Sequence, residues 1–157
     1  MPKISALIHI CNDARRLGRS LDSLRTCDDV MVVDHGSTDE SLKIARDYGA
    51  RIIKGVRGVD HGAYAQDARH DWIFCLLPGE SLAEELGASL LEWKESQPPE
   101  DQIGYNVNIR EQNGTGWKML AAQLRLANRK RINWTGDLPP EAVNAPLIEG
   151  YILRISS

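Results

Sequence analysis

The side chains able to do polar chemistry in this chain cluster where apolar runs stop. Asp34 ends the run Val30-Met31-Val32-Val33, and His35 follows it. A carboxylate at a strand end can accept a ring N–H from a uracil-like base, while neighbouring backbone groups satisfy its other edges. Asn12-Asp13 holds the equivalent place after the first apolar run. The third such place is different. The stretch Trp72-Ile73-Phe74-Cys75-Leu76-Leu77-Pro78-Gly79-Glu80 is an apolar run halted by a Pro-Gly turn. Leu77 and Gly79 cannot hold a hard cation through a side chain, and one carboxylate, Glu80, binds Mg²⁺ or Mn²⁺ poorly. Glu80 reads instead as a first-turn carboxylate facing the dipole of a following helix. Cys11, Cys27 and Cys75 form no Cys-x-x-Cys pair and read as reduced structural thiols. The four histidines are scattered along the sequence, so spacing predicts no zinc site, and neither a metal nor a cofactor is expected.

Alternating strands and helices must position these residues. Residues 4–10 form an apolar strand, and Leu17, Leu21 and Leu24 mark one face of a helix. Residues 30–33 form a second strand. Ser37-x-x-Glu40 reads as a capping box opening a helix, with Ile44, Ala45 and Tyr48 inward and Gly49 as its left-handed stop. Residues 51–56 make a third strand, and a Gly-rich connection over 55–62 leads through 63–68 to the strand at 72–77. Ser81-x-x-Glu84 reads as another capping box, before a helix with Leu82, Leu86, Leu90 and Trp93 on one face. Ser96-Gln97-Pro98-Pro99 stops that helix.

Beyond it the pattern has period two. Ile103, Tyr105, Val107 and Ile109 alternate with polar residues, Gln112-Asn113-Gly114-Thr115-Gly116 is a turn, and residues 122–126, 132–134 and 151–155 are further strand candidates. The expected architecture is α/β: a mostly parallel sheet flanked by helices, with antiparallel strands added by a strand-rich carboxyl-terminal tail. Ligands of such sheets bind outside the carboxyl ends of the strands, where Asn12, Asp34, His35 and Pro78-Gly79 fall.

At 157 residues the chain suits one domain, 1–157, with an α/β part over 1–95 and a strand-rich part over 100–157. Apolar residues are 42% and charged residues 26%, and the net charge of −3 gives no electrostatic case for nucleic acid or an anionic membrane. Apolar runs reach only about seven residues, far below the ~20 that span a bilayer. The first residues, Met1-Pro2-Lys3-Ile4, lack the apolar stretch of a signal peptide, so a cytoplasmic location is expected.

Residues 4–95 resemble the amino-terminal part of family 2 glycosyltransferases of the lipopolysaccharide-core type, which have the GT-A fold. The likeness is carried by Ile4-Ser5-Ala6-Leu7-Ile8 with Asn12-Asp13, by Val32-Val33-Asp34-His35-Gly36-Ser37-Thr38-Asp39, by Ala45-Arg46-Asp47-Tyr48-Gly49-Ala50, and by Asp71-Trp72-Ile73-Phe74. Gln123-Leu124-Arg125-Leu126, Arg129-Lys130-Arg131 and Trp134-Thr135-Gly136 continue it, with a shortened stretch between Ile109 and Gln123. The resemblance implies a GT-A-like fold and a nucleotide site at Asp13, Asp34 and His35, with a nucleoside diphosphate or UDP-sugar as partner. It also identifies what differs. The Asp-x-Asp motif, whose carboxylates hold the metal on the sugar diphosphate, falls on Leu77, Pro78 and Gly79. The family's basic and amide residues before that strand fall near His61 and Gly62. The Glu of its His-Glu pair, a candidate base, is matched only by Glu141, one residue late behind Pro139-Pro140.

Sugar transfer needs positive charge on the leaving diphosphate and a base for the acceptor hydroxyl. The expected function is therefore a degenerate glycosyltransferase-like protein that retains nucleotide or nucleotide-sugar binding in surface-polysaccharide metabolism. Two rivals stand beside it: an active metal-independent transferase, with positive charge from Arg129, Lys130 and Arg131, and a purely structural interaction module.

Overall fold

The computed structural model describes residues 1–155. Its elements run β1 (Ile4–Ile10), α1 (Ala14–Asp22), β2 (Asp29–Asp34), α2 (Ser41–Asp47), β3 (Arg51–Lys54), a 3₁₀ helix (His61–Asp67), β4 (Trp72–Leu76), β5 (Glu80–Leu82), α3 (Glu84–Glu95), β6 (Gly104–Asn113), β7 (Gly116–Asn128) and β8 (Leu147–Ile155). They build one eight-stranded sheet in the order β3-β2-β1-β4-β7-β6-β8-β5. The first four strands are parallel. β7 joins β4 antiparallel, and β6, β8 and β5 complete the strand-rich half. The α/β, GT-A-like architecture expected from the sequence is the one observed.

β1 is buried along its whole length, as an interior parallel strand must be, and strand alternation divides its side chains between two cores. Ile4, Ala6, Ile8 and Ile10 pack with Leu17 and Leu21 of α1, Ala45 of α2, and Leu86, Leu90 and Trp93 of α3. Leu7 turns the other way, with Met31, Val33, Ile73 and Cys75, under Tyr64 and Ala65 of the 3₁₀ helix and Trp134. All three α-helices thus cover one face, and the 3₁₀ helix with the segment after β7 covers the other. His9 continues the parity of Leu7, and His35 that of Met31 and Val33, so both fall on the second face.

Both capping boxes fail. α2 begins at Ser41, and α3 at Glu84 without a side-chain cap. The Ser37 hydroxyl accepts the Asn12 N–H at 2.9 Å instead, because the loops after β1 and β2 lie against each other. Ser81 and Glu80 are strand residues paired with Leu153 and Arg154 of β8, so Glu80 is not a first-turn helix residue. Residues 132–134 form no strand; Trp134 is core.

Two buried carboxylates fasten the sheet. At the amino ends, Asp29 accepts the Ser5 hydroxyl and Arg51 Nε and Nη2, all at 2.9 Å, and the Arg69 amide at 3.3 Å. At the other end Glu80, 1% exposed, takes five hydrogen bonds. Arg125 Nη1 and Nη2 donate at 2.7 and 2.8 Å, Arg154 Nε and Nη2 at 3.1 and 2.9 Å, and the Leu77 amide at 2.9 Å. Arg125 is fully buried and also donates to the Cys75 carbonyl and the Gln123 side chain, both at 3.0 Å. Burial pushes the Glu80 carboxyl upward, but Arg125 outweighs it and holds it below the usual range.

The two carboxylates generate separate predictions. Burial also pushes Asp29 upward, yet Arg51 and Ser5 hold it down to about 2, below its ordinary 3.8. The stability it contributes is complete above pH 3.8 and is lost as the pH falls through about 2, a loss of roughly 2 kcal/mol. Asp29→Asn should therefore cost about that much at neutral pH and flatten the acid limb of urea midpoints measured across this range. Glu80→Ala leaves Arg125 buried without its counter-charge and should cost roughly 3–5 kcal/mol in urea unfolding, whereas Glu80→Leu combined with Arg125→Met should recover most of the loss. A loss below ~1 kcal/mol for Glu80→Ala would show that Arg125 reaches water in the folded state.

Candidate functional site

The carboxyl ends of β1, β2 and β4 meet as the topology requires, and the loops that follow are stitched together by side chains. Asn12 adopts φ 55°, a left-handed conformation that Asn tolerates. Its Oδ1 accepts the amides of Thr38 at 2.7 Å and Asp39 at 3.3 Å. Asp39 accepts the Ala14 and Ser41 amides at 3.1 and 2.9 Å. Asp13 accepts the Cys11 amide at 2.8 Å and Arg16 Nη2 at 2.7 Å. Asp34 accepts the Ser37 amide on both oxygens, at 3.2 and 3.3 Å. Asp34 and His35 line an open cleft of about 590 Å³ with Gly36, Lys54, Arg57 and His61. Asp13 lies outside that lining, turned toward Arg16.

At the carboxyl end of β4 the segment Leu77-Pro78-Gly79-Glu80 closes on itself. The Glu80 amide donates to the Leu77 carbonyl at 3.0 Å, and Gly79 has φ +88°. Pro at the second position and a positive-φ Gly at the third are what a type II turn demands. The Glu80 carboxylate that follows is consumed by Arg125, Arg154 and the Leu77 amide. No acidic side chain of this turn is free for a cation. Arg15, Arg16 and Arg19 of α1 instead border Gly79, around a hollow of about 150 Å³.

Spacing along the chain predicts no histidine site, but the fold brings three of the four histidines together. His9, His35 and His61 bring one ring nitrogen each within 4.8 Å of the others. His9 Nδ1 and His35 Nε2 lie 2.9 Å apart, sharing a hydrogen bond. Their centroids are 5.1 Å apart with planes 23° from parallel, so the rings meet edge to edge. His61 stacks on His35 at 4.0 Å and on His9 at 4.7 Å. On its outer side His61 Nδ1 is hydrogen-bonded to the Asp137 carboxylate. Burial pushes the His9 imidazole down to about 4, with Asp137 opposing and the other two histidines adding to the fall. Burial, then His61, lowers His35 as well. His9 Nε2 is buried without a hydrogen-bond partner.

Backbone approach holds this group together. Gly62 packs so tightly that a Cβ there would lie 1.8 Å from the Trp134 carbonyl oxygen, and its amide donates to Thr135 at 3.3 Å. Only glycine allows the segment after β7 to reach the 3₁₀ helix and set Asp137 on His61. The available signal was positional. His9 and His35 are 26 residues apart, at matching places in consecutive strand–helix units, with side-chain parity aiming both at one face.

Glu141 is exposed in the segment between β7 and β8, and the carboxylate of that segment which reaches the histidines is Asp137. The basic turn lies elsewhere. Arg129 donates to Asp71 and to the carbonyls of Ala65 and Ala68, and Lys130 pairs with Asp71 just before β4. That places the turn at the amino end of the parallel strands, away from the cleft.

The comparisons with known proteins agree with this geometry. No family model matches the chain. A protein of Rickettsia bellii (strain RML369-C) named an uncharacterized glycosyltransferase is 32% identical over 137 residues, covering 82% of this chain and 47% of its own length. A similarly named protein of Rickettsia prowazekii (strain Madrid E) is 31% identical over 151 residues, covering 94% of this chain and 44% of its own. The chain thus spans less than half the length of these curated relatives. Among solved structures, Staphylococcus aureus TarS (residues 1–349) matches with a TM-score of 0.57 at 16% identity, over 76% of this chain and 38% of that one. Glucosyl-3-phosphoglycerate synthase from Mycobacterium tuberculosis, in a complex with Mn²⁺, UDP and glucosyl-3-phosphoglycerate, matches with a TM-score of 0.52 at 19% identity, over 72% and 45%. In sequence and in fold the chain is a relative of the GT-A-type glycosyltransferases.

Proposed function

We propose that the chain binds a nucleoside diphosphate or UDP-sugar in the cleft beside Asp34 and His35, and that it does so without the Asp-x-Asp metal, as a degenerate glycosyltransferase-like protein of surface-polysaccharide metabolism. One observation carries the reading. The turn at Leu77-Pro78-Gly79 is closed and its only carboxylate, Glu80, is spent on two arginines. The cleft retains the strand-end position at which ligands of open α/β sheets bind, and a solved neighbour of the same fold holds Mn²⁺ and UDP.

A second reading rests on the arginines beside Gly79. Arg15, Arg16 and Arg19 border the turn, and guanidinium groups neutralise phosphate in place of a cation. In that reading the chain is an active, metal-independent transferase. The basic cluster at Arg129 to Arg131, at the far end of the sheet and committed to Asp71, does not serve it.

Thermal unfolding with UDP separates these readings from a purely structural module. UDP at 100 times its dissociation constant should raise stability by roughly 2.7 kcal/mol, with or without Mn²⁺. Asp34→Asn should weaken the shift without altering the fold. Absence of any shift with millimolar nucleoside diphosphates would overturn both binding readings, and a shift that requires Mn²⁺ would contradict the account of the Leu77 turn. Hydrolysis or transfer from UDP-sugars, abolished by replacing Arg15 and Arg19, would favour the active enzyme.

A further inference from the structure

His9, His35, His61 and Asp137 form a group of which only His35 and His61 border the nucleotide cleft, and which the strand core does not require. We propose that His9, His35 and His61 bind one late first-row divalent cation, Zn²⁺ above all, with Asp137 as the positioning residue behind His61.

Four observations carry the proposal. The three imidazoles offer ligand atoms within 4.8 Å of one another, and they come from the carboxyl end of β1, the turn just after β2 and the 3₁₀ helix that follows β3. His9 is 6% exposed, and this buried ring is held through Nδ1, the nitrogen that faces His35. Asp137 accepts from His61 Nδ1, which fixes that nitrogen as the proton carrier and leaves Nε2 a lone pair. A carboxylate behind a histidine is the standard support for a metal ligand. Finally, among the described residues no lysine or arginine is hydrogen-bonded to any of the three rings.

The donor set selects the ion. Three neutral nitrogens suit Zn²⁺, Co²⁺, Ni²⁺ or Cu²⁺, while Mg²⁺ and Mn²⁺ prefer oxygen. In a tetrahedral site with Zn–N near 2.0–2.1 Å, ligand nitrogens lie about 3.3 Å apart. The His9–His35 pair at 2.9 Å is close to that spacing, and an ion would replace the proton they share. The movement falls on His61, whose side chain is 41% exposed and must tilt out of its stack to aim Nε2 inward. Three protein ligands leave a fourth position open. His35 and His61 also border the cleft, so that position opens toward it.

The test uses the whole chain, stripped with chelator and dialysed against Zn²⁺, with Co²⁺ as the spectroscopic probe. The expected result is one Zn²⁺ per chain and a Co²⁺ visible spectrum of the intensity given by tetrahedral nitrogen ligation. His61→Ala and His35→Gln should each lower affinity at least 100-fold while leaving the circular dichroism of the metal-free protein unchanged; both sites are accessible enough to spare the fold. Asp137→Asn should lower affinity 10–100-fold and keep the Co²⁺ spectrum, the signature of a positioning residue. Absence of stoichiometric Zn²⁺, or retention at full affinity in both histidine variants, overturns the site. The assay contains no nucleotide, so its failure is independent of the UDP experiment.

Discussion

The interaction on which this sheet depends is the buried pairing of Glu80 with Arg125. Two fully desolvated charges are tolerated in a protein interior only when each is paired and its remaining hydrogen-bonding sites are filled. Here they are. Glu80 is filled by two guanidiniums and the Leu77 amide, and Arg125 by Glu80, the Cys75 carbonyl and Gln123. The pairing joins β5 to β7, the Arg125 hydrogen bond to the Cys75 carbonyl ties both to β4, and Arg154 extends it to β8, with Glu111 of β6 at 3.5 Å beyond. It therefore locks the parallel half to the antiparallel half at the point where they could slide. The same pairing sets the chemistry of the turn. A carboxylate whose lone pairs are all spent on arginines cannot also hold a divalent cation, so the element that secures the sheet is the one that closes the expected metal position.

Much of this was legible in the sequence, because the relevant signals are local. The apolar run ended by Pro78-Gly79 specifies a strand and a type II turn without reference to anything distant. Alternation along residues 4–10 and 30–33 fixes which side chains share a face. Gly49 stops α2 with φ +76°, as its place in the sequence suggested. The capping boxes misled because Ser-x-x-Glu describes a competition that tertiary contacts can win. Ser37 is more useful bridging two loops, and Ser81 is drawn into the sheet by β8, a strand more than 60 residues later that no local rule anticipates. In the sequence Arg125 stands only as part of the Gln123-Leu124-Arg125-Leu126 likeness, with no role of its own. Its flanks, Leu124 and Leu126, were the better guide: a lone charge in an apolar strand is either an edge or a buried pair.

The histidine cluster was illegible for another reason. Metal-ligand patterns are recognised by short spacings, and His9, His35 and His61 are separated by whole strand–helix units. Finding them required parity and register together. Parity puts His9 and His35 on one face, and the β1–β2 ladder pairs His9 with Val33 and so brings His35 alongside. His61 and Asp137 enter only because Gly62 lets two irregular segments touch.

The two features at the carboxyl ends of the strands then carry unequal weight. Asp13 and Asp34 look functional by resemblance, yet they and Asp39 already accept backbone amides that hold the loops after β1 and β2 in place. A fold that needs those loops keeps those carboxylates whether or not a nucleotide binds. His9 is the opposite case. A buried imidazole with an unsatisfied nitrogen costs about 1–3 kcal/mol, and at that position a leucine or valine would extend the face begun by Leu7 without that cost. Nothing in the packing of the second core requires a histidine there. Stability alone therefore accounts for the acidic loops and leaves the histidines unaccounted for, which makes the less familiar group the stronger evidence that this end of the sheet has a ligand.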